Sequence, residues 1–356
     1  MKNLLVYLSM CLLFITFSCS KEDITDIPEE DGPFKITKLL PLSDNIPYQA
    51  LGSGKILFER RYDDGEPVFY VIDIDKRKSS GFKLKSPMTQ PSISPSGTQI
   101  ACSLLNAEDL NPTWNIYFMN IDGSGCFPAF LSDQPAGYPT WNKDGSKIVY
   151  YTSGSDGRLY MQSPVENSSD RVELTKFRDD DDPEWLIDPV GGFNVSPSGE
   201  LVSVSESEKL FGLIGVVPNA GKTGVRVILS PPTDYYIETR NCWFESPVFS
   251  PDGTKIAFLE VYTNPIETSW ISLGINTMDP DGSNVVQVGA MGGYQPNAQL
   301  DRYVSLCWSP DGTKILFAMP DSEEACHLYV VNLDGSGYSQ ITNQLDVFDS
   351  NVSWSR

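Results

Sequence analysis

The segment Ser246-Pro-Val-Phe-Ser-Pro-Asp-Gly-Thr-Lys-Ile-Ala-Phe258 places one tight turn between two apolar runs. Pro251 presets φ for the first corner of the turn, Asp252 suits the second, and Gly253 can take a positive φ. Such a turn reverses the chain between antiparallel strands, and the run that follows reads as a buried or half-buried strand. The unit recurs. The other copies are SGKILF (Ser53–Phe58), PSGTQIAC (Pro95–Cys102), KDGSKIVY (Lys143–Tyr150), PSGELVSV (Pro197–Val204) and PDGTKILF (Pro310–Phe317). The turn glycines stand at 54, 97, 145, 199, 253 and 312, with spacings from 43 to 59 residues. A period of this size in strand-like segments is the mark of propeller blades.

Outward from the turn, a third strand follows in several copies: NIYFMNIDGSG (Asn115–Gly125), INTMDPDGSN (Ile275–Asn284) and LYVVNLDGSG (Leu328–Gly337), each ending in its own Asp-Gly turn. A more polar fourth strand closes the unit, as in RVELT (Arg171–Thr175) and SQIT (Ser339–Thr342). A four-stranded unit cannot bury both faces alone, so neighbours must stack. The first unit lacks the Pro-x-Trp-Ser segment before its turn, and the chain ends in Asn351-Val-Ser-Trp-Ser355, which is that segment without a turn. The expected architecture is all-β: a six-bladed β-propeller with four-stranded blades over residues 36–356. The C-terminal strand joins the first blade, which closes the ring and removes two exposed sheet edges.

The pattern P-x-[W/F]-S-P-D-G-x-K-I-x-F, followed by I-Y-x-x-N-x-D-G-S, resembles the TolB-type, WD-like repeat of bacterial envelope propellers. The fifth and sixth units match best, the second and third well, and the first and fourth loosely. The resemblance implies a fold more than a function, because such propellers serve as docking platforms, ligand binders and non-catalytic domains of peptidases.

The N-terminus sets the compartment. Met1–Ser18 carries one Lys, then the apolar run Leu4–Phe17, and stops at Ser18-Cys19, which reads as a secretory signal too short for a membrane span. Cys19 resembles the bacterial lipoprotein processing site, although Thr16 and Phe17 replace the preferred Leu and small residue. The expected domains are therefore a lipoprotein signal peptide at 1–18, a polar, charged tether at 19–35 and the propeller at 36–356. The acidic Glu22 and Asp23 behind the cysteine resemble the surface-export signal of Bacteroidetes lipoproteins. The expected location is the outer membrane, facing the periplasm or the cell surface, held by the lipid anchor.

Forty-seven acidic against 26 basic residues give a net charge of −21, which excludes nucleic acid as a natural partner. The cysteines beyond Cys11 and Cys19 are Cys102, Cys126, Cys242, Cys307 and Cys326, without CxxC spacing, so neither a zinc site nor a disulfide framework is indicated. Cys102 and Cys307 fit buried strand positions, and a single bridge among Cys126, Cys242 and Cys326 stays open. The lone histidine, His327, supplies neither a metal cluster nor a triad, whereas the oligogalacturonate lyases that resemble this fold rely on several histidines. Catalysis by paired carboxylates stays open. The acidic run Asp179, Asp180, Asp181, Asp182 offers hard oxygen ligands to Ca²⁺ but lacks the alternating spacing of a calcium loop. No cofactor is expected.

Three links between units are long: Lys176–Gly191, Ser230–Glu245 and Ala290–Tyr303. They carry Trp185, Tyr235, Tyr236, Trp243, Phe244, Tyr294 and Tyr303, and the loops between second and third strands on the same face add Trp114 and Trp270. Loops longer than connection requires are candidates for function, and aromatics there stack on sugars or anchor a protein. Gln90, Tyr138, Gly192, Ser246, Ser305 and Asn351, three residues before the Trp/Phe position, are expected to start each inner strand at the channel mouth. The leading expectation is a non-catalytic platform for an envelope protein. The alternatives are capture of a glycan, or a lyase or hydrolase working through carboxylates.

Overall fold

A computed structural model describes residues 36–62, 67–105, 112–131, 133–153, 158–176, 178–179, 182–186, 193–197, 201–207, 210–217, 226–229, 241–263, 271–294, 305–322 and 325–356. The signal peptide and tether lie outside the described residues.

Strand β1 (Ile36–Leu40) and one helical turn, α1 (Tyr48–Leu51), precede the first repeat. That repeat contributes β2 (Lys55–Tyr62), β3 (Val68–Asp73) and β4 (Lys78–Leu84). The second holds β5 (Met88–Ile93), β6 (Gln99–Leu105), β7 (Trp114–Asn120) and β8 (Phe127–Phe130). The third holds β9 (Ala136–Trp141), β10 (Ile148–Thr152), β11 (Arg158–Gln162) and β12 (Val172–Lys176). A small hairpin of β13 (Arg178–Asp179) and β14 (Asp182–Leu186) follows. The fourth repeat is β15 (Phe193–Val195), β16 (Leu201–Ser207), β17 (Leu210–Val217) and β18 (Arg226–Leu229). The fifth is β19 (Asn241–Phe249), β20 (Ile256–Thr263), β21 (Ile271–Met278) and β22 (Val286–Tyr294). The sixth is β23 (Ser305–Trp308), β24 (Lys314–Ser322), β25 (Ala325–Asn332) and β26 (Ser339–Gln340), and β27 (Val347–Ser355) ends the chain.

Repeats two to five each form a separate antiparallel sheet of four strands in sequence order. The first and sixth share one nine-stranded sheet, ordered β1-β4-β3-β2-β27-β25-β24-β23 with β26 on β25. Strand β27 lies antiparallel along the whole of β2, from Lys55↔Ser355 to Tyr62↔Val347, and meets β25 in parallel at Cys326↔Phe348. No sheet of the described residues closes on itself. An unforeseen strand, β1, pairs antiparallel with β4 from Ile36↔Leu84 to Leu40↔Gly81 and covers the outer edge of the first repeat.

The core lies in layers between successive sheets. Leu57, Phe69 and Val71 of the first repeat pack with Ile93, Ile100 and Tyr117 of the second, and Leu259 and Leu273 of the fifth pack with Trp308 and Phe317 of the sixth. Both faces of β2 and β6 are therefore buried, which is why these strands read as continuous apolar runs. Neighbouring inner strands are also pinned by indoles: Trp141 Nε1 donates to the Ser92 carbonyl at 2.9 Å and Trp308 Nε1 to that of Val248 at 3.0 Å.

The repeated turn works as its residues require. Asp252 Oδ1 accepts the Thr254 amide at 3.0 Å and the Ser250 hydroxyl at 2.6 Å, and Asp311 does the same with Thr313 and Ser309. The second turns of the second, fifth and sixth units dock against the preceding unit. At Gly282, with φ 89°, a Cβ would stand 2.0 Å from the Ile228 carbonyl oxygen, so only glycine lets the two backbones approach.

Candidate functional site

Within each repeat the inner strand runs into the Gly turn and the second strand returns, so two faces are defined by strand direction. The Gly and Asp-Gly turns lie on a turn face. Second strands end and third strands begin at the opposite, loop face, where fourth strands also end.

Near the loop face the inner strand slips register at one repeat position four times. The slips fall between Thr89 and Ser92, Gly137 and Thr140, Glu245 and Val248, and Ser350 and Ser353. The first inserted residues are Gln90, Tyr138, Ser246 and Asn351, with φ of 52°, 55°, 51° and 51°. A left-handed conformation costs a non-glycine residue about 1–2 kcal/mol, and it persists only where the surroundings impose it. The expected mouth residues are thus not strand starts, except Ser305, where the register of β23 is continuous. They occupy bulges inside strands that pair with the second strand of the repeat both before and after the bulge. Gly192 lies outside the described residues.

Polar bonds link these positions from unit to unit. Gln90 Oε1 accepts the Tyr138 amide at 2.7 Å and the Ser103 hydroxyl at 3.4 Å. The Tyr138 ring packs against Phe193 at 6.4 Å between centroids. Asn351 Nδ2 donates to Glu59 Oε2 at 2.8 Å, while Glu59 Oε1 holds Arg61 at 2.6–2.7 Å. The Ser305 hydroxyl accepts the Val352 amide at 3.3 Å. The result is two patches of bonded polar groups at these inner-strand positions, one joining the second and third repeats and one joining the sixth and first.

A second cluster sits between the sixth and first repeats. Fully buried Arg60 forks onto Asp349 and also donates to Asp44 Oδ2 at 2.6 Å and Gln344 Oε1 at 3.0 Å. Its guanidinium lies over the Phe58 and Tyr70 rings at 5.5 and 5.6 Å. Asp44 Oδ1 accepts the amides of Asn343 and Gln344 at 2.6 and 3.0 Å. His327 is buried beside it, its Nε2 2.7 Å from the Gln344 carbonyl. Burial alone would raise the Asp44 carboxyl, but Arg60 and the two amides outweigh it and hold the group below its usual range. Asp349 is raised, because its burial outweighs Arg60 and Thr342. The lone histidine therefore belongs to a structural seam. Sequence reasoning missed this cluster because the polar partners of Arg60 are 16 to 289 residues from it.

Of the expected rim aromatics, Trp114 begins β7 at the loop face, half-buried. Trp243 lies in β19, Tyr294 ends β22 and Trp185 lies in β14, whose side chains are outside the described set. Tyr235, Tyr236, Trp270 and Tyr303 also lie outside the described residues. Phe244 is a correction. It is buried edge-on against Phe258 at 5.3 Å, because β19 begins at Asn241, inside what reads as a link. The link 176–191 is likewise occupied in part by the β13–β14 hairpin. Asp179 and Asp182 are paired across that hairpin, and Asp180 and Asp181 are outside the described residues. Cys102 and Cys307 lie against apolar strands, and burial pushes both thiols well up. Cys126 and Cys326 belong to separate core clusters, and the Cys242 side chain is outside the described set.

No family model matches the chain. A dipeptidyl-peptidase 5 of Porphyromonas endodontalis is 25% identical over 144 residues, which cover 40% of this chain and only 19% of that protein. TolB from Acinetobacter baumannii superposes with a TM-score of 0.59 at 16% identity, over 85% of this chain and 66% of that one. An oligogalacturonate lyase solved in complex with manganese superposes at 0.51 and 14% identity, over 86% and 85%. The likeness is one of fold. The architecture is that of TolB-like β-propellers, a fold that carries both enzymes and proteins not named as such.

Proposed function

We propose that this chain is a lipid-anchored, six-bladed propeller of the outer membrane that holds an envelope protein at its loop face and performs no chemistry itself. In this reading β27 supplies the inner strand of the first blade and completes the ring. Cys19 carries the acyl chains, each buried methylene contributing about 0.8 kcal/mol to membrane binding.

The observation that carries the reading is the rim. Its polar groups are committed to one another, Gln90 to Tyr138, Asn351 to Glu59 and Glu59 to Arg61, which gives a preorganised docking surface rather than a poised acid and base. Trp185 and Trp243, in the links that the sequence marks as long, are the aromatic anchors of this reading. The likeness to a lyase over most of both chains favours one second reading, a polyuronate glycan at the same face.

Crosslinked capture from native envelopes, with the full chain as bait, tests the first reading. A defined protein captured by wild type and lost with Trp185→Ala or Trp243→Ala is the expected result. Equal capture by both variants rejects the rim. An absence of any partner at high bait occupancy moves the reading to glycans, which an array of polyuronates then checks.

A further inference from the structure

The fourth strand of each repeat ends a sheet, and an uncovered sheet edge offers its backbone to any other strand. The repeats guard these edges in different ways. In the first, β1 pairs with β4. In the second, β8 has four residues and contains Pro128. In the third, β12 carries Glu173 and Lys176. In the fourth, β18 has four residues and opens with Arg226. In the sixth, β26 has two residues. Strand β22 of the fifth repeat has none of these guards: it runs for nine residues, VQVGAMGGY, without charge or proline. It lies within a stretch, 282–300, that holds no Asp, Glu, Lys or Arg in a chain of net charge −21.

The edge is open along a definite length. Its register against β21 slips at Val288 and at Gly293, and is unbroken from Ile275↔Gly289 to Ser272↔Gly292. Gly335 of the sixth repeat approaches the Val288 carbonyl, turnward of this stretch, and no described strand pairs with the outer side of 289–292. Ala290, within it, is exposed. Apolar side chains stand beside it: Val285 is 48%, Val286 52% and Tyr338 43% exposed. Tyr338 leans on Tyr329 at 5.4 Å between ring centroids, and Tyr329 shares a core cluster with Val288, which sets Tyr338 next to β22.

We propose that β22 is the contact between two copies of this chain, pairing antiparallel with itself over 289–292 and joining two four-stranded sheets into one. A two-fold contact must be self-complementary, and an antiparallel edge meets that condition with the same residues on both sides. Charge selects the same place. Two chains of net charge −21 repel, and they approach at least cost where a segment carries no charge. Antiparallel pairing also brings Val286 of one copy to the Tyr294 end of the other copy's strand. Four paired residues with these flanking apolar contacts fall short of the ~1,200 Å² of a stable interface, so the dimer is reversible. The contact lies on the perimeter and leaves the loop face of each copy uncovered, so it stands whether or not a protein docks there.

The test is sedimentation velocity of the full chain from about 1 to 100 µM, with amide hydrogen exchange read at both ends of that range. A reversible dimer is expected, tightened severalfold between about 50 and 500 mM NaCl as the repulsion is screened. Exchange at 289–292 should slow only where the dimer is populated. Ala290→Lys and Val286→Lys should each raise Kd at least tenfold while leaving the thermal midpoint unchanged. A chain that stays monomeric across the range overturns the proposal. So does a dimer that keeps its affinity in both variants with exchange at β22 unchanged, because its contact lies elsewhere. A dimer that salt weakens also overturns it, because such a contact rests on opposite charges.

Discussion

Arg60 and Asp349, 289 residues apart, meet through two parallel hydrogen bonds, Nε to Oδ1 at 2.6 Å and a terminal nitrogen to Oδ2 at 2.8 Å. They are direct cross-strand partners of β2 and β27, so the pair sits on the junction between the two ends of the chain. A forked pair of this kind fixes register as well as adding attraction. Both side chains are without solvent exposure, and the cost of removing them from water is met only while both are present.

Arg60→Met should therefore destabilise the fold by about 3–5 kcal/mol, because it leaves Asp349 and Asp44 buried without their cation. The double change Arg60→Met with Asp349→Leu should cost less than the single one. Urea denaturation measures both. A single variant within 1 kcal/mol of wild type would show that the seam contributes little.

Acid should unfold the protein through its turns. Asp252 is pushed down to about 2 by the Ser250 hydroxyl and by the amide and hydroxyl of Thr254. Asp144, Asp281 and Asp334 are lowered by the corresponding serines, and Asp311 is lowered because its hydroxyl and amide donors outweigh partial burial. An unfolded Asp titrates near 3.9. Between that value and the folded ones the unfolded chain binds more protons, so the stabilisation is fully present above about pH 4 and is lost as pH falls toward 2. Denaturant midpoints measured from pH 6 to pH 2 should be flat and then fall steeply. Asp252→Asn should start less stable and fall less, and a parallel decline in that variant would remove Asp252 from the explanation.

Two glycines separate strain from contact. Gly52 has φ 96° with nothing within 4 Å of a built Cβ, whereas Gly282 has φ 89° with a carbonyl oxygen at 2.0 Å. Gly52→Ala should lose only the conformational cost, about 1–3 kcal/mol. Gly282→Ala should lose clearly more, because β18 must move away from the turn. Equal losses in thermal or chemical unfolding would mean that the close approach is not maintained in solution.

The repeat was legible because its chemistry is local. Pro251, Asp252 and Gly253 lie side by side, and the strand that follows them is apolar on both faces, so a single window carries turn and strand together. The role of Trp141 and Trp308 was also within reach, since both stand four residues before their turn glycines, Gly145 and Gly312. Strand β1 was not legible, because ITKLL has neither the turn nor the period and gains its partner only when β4 is in place. The bulges were hidden for a different reason: Gln90-Pro, Tyr138-Pro and Ser246-Pro read as strand beginnings, since proline discourages a central strand. Phe244 looked like a loop aromatic only because the start of β19 has no local signal. The seam around Arg60 joins residues that no window contains.

The bulge at Gln90 allows the rim to be tested directly. Its side-chain oxygen caps the Tyr138 amide on the next repeat, and its own backbone is held at φ 52°. Gln90→Ala removes the cap and keeps the backbone cost, so it should lower stability by about 1–3 kcal/mol and speed hydrogen exchange at the Tyr138 amide. Gln90→Gly also removes the cap but relieves the left-handed strain, offset in part by glycine's greater freedom when unfolded. It should therefore be more stable than the alanine variant while showing the same fast exchange at Tyr138. If the two substitutions are equally stable, the left-handed conformation is not held in solution. If exchange at Tyr138 is unchanged in both, the bond from one repeat to the next does not form, and the rim is not preorganised by it.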